Sequence, residues 1–137
     1  MKNKKNKAII DTYETLYGID IVVANRQVSL EKLRKLFVYS DGVELDNFII
    51  DGLATTCVVK RLSDNKTCIL IKDNKDTDVK SVDKKLDFIN TIAHESLHAV
   101  LDIYDIIQQK VCTCTQEPMC YLIGYIAECA YKTLTKK

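Results

Sequence analysis

Ser81-Val-Asp-Lys-Lys-Leu86-Asp-Phe-Ile89-Asn-Thr-Ile92-Ala-His94-Glu95-Ser96-Leu97-His98-Ala99-Val100-Leu101-Asp102-Ile103 is the stretch on which the reading of this chain turns. Leu86, Ile89, Ile92, Ala93, Ser96, Ala99, Val100 and Ile103 recur at the spacing of an α-helix. Ser81 stands before them as a plausible N-cap, because its hydroxyl can accept from an amide that the first turn leaves free. The pattern predicts one long helix over about Val82 to Ile103. Apolar and small residues cover most of its circumference, which predicts a buried central helix.

Two histidines sit inside that helix, His94 and His98, and the chain has no others. Four residues apart on a helix, both imidazoles lie on one face, one turn from each other. Two such nitrogens can share one Zn²⁺ at about 2.0–2.1 Å each. Glu95 points about 100° away from His94 round the axis. It is poorly placed to ligate the same ion, but well placed to take a proton from a water held there. Two histidines and a glutamate in so apolar a stretch are costly to bury without partners. The alternative is a helix whose histidines merely hydrogen-bond in the core.

A catalytic zinc site has three protein ligands and one open position. Two acids are candidates for the third ligand. Asp102 is one turn beyond His98 on the same face, but ligands at i, i+4 and i+8 on a straight helix step apart by about 6 Å each. Glu117 begins a second predicted helix and can approach from outside, so it is favoured, with Asp102 as an outer or solvated acid. An ordinary acid at a helix N-terminus is the other reading of Glu117.

With His94-Glu95-x-x-His98 and Glu117 in place, the chain resembles the gluzincin branch of the zincin metallopeptidases, including the minigluzincins. The segment Gln116-Glu-Pro-Met-Cys-Tyr-Leu122 is also similar to small phage-encoded proteins that carry HExxH. The likeness covers about residues 82–130 and is only topological before that. It implies a zincin-like α+β fold and a zinc metallopeptidase with a peptide or protein substrate. It further implies metal ligands His94, His98 and Glu117, with Glu95 as general base. Gluzincins often carry Asn before the ligand Glu and an acid four residues after it; here those positions are Gln116 and Tyr121. The acid that orients a zinc-bound histidine is therefore sought in Asp102 or Glu128. Tyr121, one turn from Glu117, is the candidate donor to developing negative charge, with Tyr125 second; packing between helices is the competing role for both. Should Glu117 not ligate, a cysteine among Cys112, Cys114 and Cys120 is next in line. A zincin scaffold without turnover, serving as a structural or interaction protein of a phage, is the alternative function.

Outward from the motif, Ala54 to Lys60 and Thr67 to Lys72 are β-rich runs joined by Leu62 to Lys66, a hairpin pattern. Lys66 to Lys72 is expected at the sheet edge, either pairing with an extended peptide or blunted by its lysines. Ile19 to Ala24 reads as a buried strand. Ser29 caps a helix with Leu30, Leu33, Leu36 and Phe37 on one side. Leu45 to Ile50 is a short helical or extended piece, between the turn signals Asp41-Gly42 and Asp51-Gly52. Phe37, Tyr39 and Phe48 are expected as core or loop anchors. Residues 8–17 read as a helix from Ile9, Tyr13, Leu16 and Tyr17, with a strand as the alternative. Asp73 to Lys80 reads as a charged loop, 106–116 as a second loop, and Glu117 to Leu134 as a helix with Pro118 in its first turn.

At 137 residues the chain fits one domain, expected over 1–137 with frayed tails at 1–7 and 135–137. A net charge of +1 argues against nucleic acid or an anionic membrane as the main partner. No run approaches the ~20 apolar residues of a membrane span or the apolar core of a secretion signal, so a cytoplasmic protein is expected, virion association aside. In that compartment the six cysteines are expected as thiols or metal ligands rather than disulfides.

Overall fold

The computed structural model describes residues 6–75 and 81–136. The strands are β1 (Ile10–Tyr13), β2 (Asp20–Ala24), β3 (Phe37–Tyr39), β4 (Ala54–Arg61) and β5 (Thr67–Asp73). The helices are α1 (Leu30–Leu36), α2 (Val82–Ile106) and α3 (Glu117–Leu134), with short 3-10 turns at Asn47–Ile49 and Thr113–Thr115. The strands form one mixed sheet in the order β1-β2-β5-β4-β3. β2 and β5 run parallel, and the other three pairings are antiparallel. The fold is thus α+β with a mostly antiparallel sheet, as the sequence predicts.

Local chemistry explains most of these elements. Ser29 accepts from the Lys32 amide at 3.1 Å, and Ser81 accepts from the Lys84 amide at 3.1 Å, so both expected N-caps form. The β4–β5 hairpin closes with Lys60 opposite Thr67, and Asn65 takes the left-handed turn at φ 58°. Buried Asp20 ties that turn to β2, accepting from Arg61 at 3.0 Å and from Lys66 at 2.8 Å.

Several expectations need correction. Residues 10–13 are a strand, because Ile10 to Tyr13 gain a full ladder against β2, and Gly18 turns the chain between them at φ +71°. Leu16, which the helical reading placed on a buried face, is fully exposed. β5 is interior, flanked by β2 and β4, so Lys66 to Lys72 offers no edge to a peptide. Its Lys72 is buried, with the ammonium donating to the carbonyls of Asn25 at 3.1 Å and Asp73 at 2.7 Å. Asp73 is likewise the last residue of β5 and buried, so the charged loop begins after it; residues 76–80 lie outside those described. Finally, the described parts of the tails are tied down: Lys7 O accepts from Asn25 Nδ2 at 2.8 Å, and Lys136 reaches Asp11 at 2.6 Å. Residues 1–5 and 137 of the expected tails lie outside the description. Phe37 is buried as expected but begins β3, while Phe48 is largely exposed rather than a core anchor.

The sheet is covered on both faces. One face packs Ile21, Val23, Ile69 and Ile71 against Phe88, Ile92, Ala99 and Ile103 of α2 and Leu122 and Ile126 of α3. The other packs Val22, Leu70 and Val59 against Leu30 and Leu33 of α1 and against Leu45 and Ile49. Alternation along each strand sends successive side chains to opposite layers. α2 is not buried all round: Leu86, Ile89, Leu97 and Leu101 face outward.

Candidate metal centre

α2 crosses above β4, and this crossing builds the site. Thr56 on β4 turns its hydroxyl up to the helix, where Oγ1 donates to Glu95 Oε2 at 2.5 Å and approaches the Glu95 carbonyl at 3.3 Å. Glu95 is buried, only 7% exposed, so this bond meets a polar demand that water cannot. Its other oxygen, Oε1, lies 4.0 Å from His94 Nε2. One turn on, His98 Nε2 lies 3.1 Å from His94 Nε2, and the two rings meet edge to face. Both imidazoles are on the solvent side of the helix.

That nitrogen–nitrogen separation is informative. Two ligands about 2.0–2.1 Å from one tetrahedral ion stand about 3.3 Å apart, close to what the two histidines adopt. The same distance suits one N–H···N hydrogen bond between neutral rings. The pair therefore fits a zinc ion as two donors of a ligand set, with a carboxylate beside it that is already held by its other oxygen.

The remaining expected site residues are not gathered here. α3 lies on the β1 side of the molecule, where Tyr13 Oη is 2.7 Å from Thr133 Oγ1, and Thr133 Oγ1 donates to Asp11 at 2.8 Å. At 100° per residue, Glu95, His98 and Asp102 fall on the β4 flank of α2, while Val100 and Tyr104 fall on the flank toward α3. Glu117 is exposed on the first turn of α3, on that second flank. Among the described residues, no three His, Cys, Asp or Glu side chains form a group able to hold a metal. Tyr121 is 77% exposed on α3 and has no described contact with the histidines. Tyr125 is committed elsewhere, its hydroxyl donating to Glu14 O at 2.6 Å. Glu128 pairs with Lys132 at 3.0 Å on the surface and orients no histidine.

Asp102 is different. It is half-buried; burial pushes its carboxyl up, while neighbouring His98 pulls it down. The cysteines divide by depth: Cys68 and Cys129 are buried, and burial pushes the Cys57 thiol up to about 12, which keeps it protonated. Cys112 and Cys114 are joined in a disulfide rather than free, because the 3-10 turn brings their Cα atoms to 5.4 Å, within bridging range.

A pocket of about 290 Å³ opens beside His94 and Glu95, walled by Leu53 just before β4, by Ala54 at its start and by Asp87, Asn90 and Thr91 from α2. Thr56 is the site residue that sequence reasoning missed. A threonine in a β-rich run carries no local mark of its partner 39 residues away. No family model, curated protein or solved structure was found to match the chain.

Proposed function

We propose that this chain is a zinc-dependent hydrolase of zincin type, acting on a peptide bond of a peptide or protein substrate. The observation that carries the reading is one cluster: the His94–His98 nitrogens at 3.1 Å, and Glu95 beside them with one oxygen fixed by Thr56. His94 and His98 would hold the ion. Bound Zn²⁺ supplies Lewis acidity and makes an adjacent water easier to deprotonate. Glu95 takes the proton from that water through Oε1, the oxygen that Thr56 leaves free. Thr56 keeps the carboxylate turned toward the histidines, and the helix backbone fixes the spacing of all three. The pocket walled by Leu53, Ala54 and Asn90 receives the substrate group next to the scissile bond. Glu117 is kept as third donor from the sequence pattern, with Asp102 as its competitor because Asp102 is one turn beyond His98 on the same flank of α2.

The test is hydrolysis of a mixed peptide library by the zinc-loaded full chain. Wild type should cleave; Glu95→Gln should lose cleavage by at least about 100-fold while keeping zinc. Equal cleavage by Glu95→Gln overturns the mechanism. A second reading, a zincin scaffold without turnover, is favoured by one observation: among the described residues the histidine pair has no third donor gathered on it. Zinc uptake with no cleavage by wild type decides for that reading.

A further inference from the structure

We propose that Cys112 and Cys114 form a redox-active site, a dithiol–disulfide couple that exchanges with low-molecular-weight thiols of the glutathione kind. The two cysteines are joined in a disulfide between α2 and α3, with one residue between them. Cys114 and Thr113 are exposed and Cys112 is half-buried, so the bridge stands at the surface, within reach of a small thiol. Exposed bridges are the readily reduced ones, unlike those that hold secreted domains together. This bridge also does little for the fold. The gain from closing a loop grows with the logarithm of its length, so a bridge across one residue lies at the bottom of the scale. The turn has bonds of its own: Thr115 N donates to Cys112 O at 3.3 Å, and Gln116 Nε2 donates to Thr113 O at 2.9 Å. α3 then starts at once, with Cys120 N donating to Gln116 O at 3.0 Å.

The same geometry sets the order of exchange. A small thiolate attacks Sγ of exposed Cys114. The electron pair of the S–S bond leaves on Cys112 Sγ, which already accepts from the Cys114 amide at 3.4 Å. That amide steadies the negative charge as it forms. Cys112 then takes a proton from solvent. A second small thiolate attacks the small-molecule sulfur of the mixed disulfide, and Cys114 leaves and is protonated in turn. Two small thiols become one small disulfide, and two electrons and two protons pass to the protein. The reverse sequence closes the bridge again. Cys68 and Cys129 are buried and take no part. Cys120 is exposed and free, but it belongs to α3, and the couple is complete without it. The inference does not depend on zinc or on hydrolysis.

The experiment equilibrates the full chain, freed of metal by a chelator, with about 10 mM glutathione and about 0.1 mM of its disulfide. Thiols are then trapped by acid quench and alkylation, and mapped by mass spectrometry. Chain purified without reductant should carry the Cys112–Cys114 bridge. In the glutathione mixture at least about one chain in ten should have both thiols free, where a bridge poised like those of secreted domains opens in fewer than about one in a hundred. A larger share of glutathione disulfide should close it again. Reduction should leave the far-UV circular dichroism unchanged and lower Tm by no more than about 8 °C. Cys120→Ser, folded by the same criterion, should exchange like wild type. The proposal is overturned by Cys112 and Cys114 thiols that glutathione disulfide does not oxidise, or by a bridge that opens in fewer than that tenth of chains. It is equally overturned by loss of exchange in folded Cys120→Ser, or by reduction that unfolds the chain.

Discussion

Replacing Thr56 by Val keeps the shape of the side chain and removes its hydroxyl. In the native protein that hydroxyl donates to Glu95 Oε2 at 2.5 Å, and Glu95 is only 7% exposed. A hydrogen bond to a charged group contributes about 1.5–3 kcal/mol, and leaving a buried carboxylate without its donor puts the cost near the upper end. Thr56→Val should therefore lower unfolding stability by about 2–3 kcal/mol, a fall in Tm of roughly 6–12 °C for a chain of this length. Thr56→Ser keeps the donor and should lose no more than about 1 kcal/mol for the missing methyl. The assay is urea unfolding of both variants, alone and combined with Glu95→Gln. In the double-mutant cycle, Thr56 and Glu95 should show coupling of about 1.5 kcal/mol or more. Turnover, where measured, should fall in Thr56→Val by more than its stability loss accounts for, because the freed carboxylate no longer points at the histidines. A Thr56→Val variant within about 0.5 kcal/mol of wild type, with no coupling to Glu95, refutes the placement of Glu95 on which the site is built.

Further predictions concern the frame around the site. Burial pulls Lys72 down to about 8. The unfolded chain then binds more protons than the native one between about pH 8 and pH 10.4, so wild-type stability should rise with pH across that window relative to Lys72→Met; a flat difference in urea unfolding contradicts the burial of this ammonium. Asp20→Asn weakens the charge-assisted bonds from Arg61 and Lys66 and should cost about 2 kcal/mol in thermal unfolding, with no change in zinc affinity. Tyr125→Phe removes the bond to Glu14 O and should cost about 1 kcal/mol while leaving turnover intact; lost turnover would return Tyr125 to the reaction.

The parts of the fold that were legible in the sequence are those decided locally. The caps at Ser29 and Ser81, the β4–β5 hairpin and the bounds of α3 depend on neighbours within a few residues, and all appear as read. Errors fall where partners are distant. Residues 10–13 become a strand only because β2 offers them a ladder. β5 is interior because β2 lies parallel beside it, each paired residue 48 positions earlier, a pairing with no signature in Thr67–Asp73 itself. The apolar circumference of α2 was read as burial on several sides, but part of it faces outward. In the site, the spacing of His94, Glu95 and His98 follows from helical geometry and needed no tertiary information. Thr56 required the crossing of β4 and α2. Glu117 depends on which flank of α2 carries α3, and that choice is made by contacts between α3 and β1.

The most direct measurement of the central claim is zinc content. The full chain, stripped with a chelator and titrated with Zn²⁺ by calorimetry with elemental analysis, should take up one ion per chain. His94→Ala and His98→Ala should each weaken that uptake by at least about 100-fold while keeping the fold, because each removes one of the two nitrogens that stand 3.1 Å apart. A wild type that takes up no zinc, or histidine variants that take it up equally well, would contradict the account.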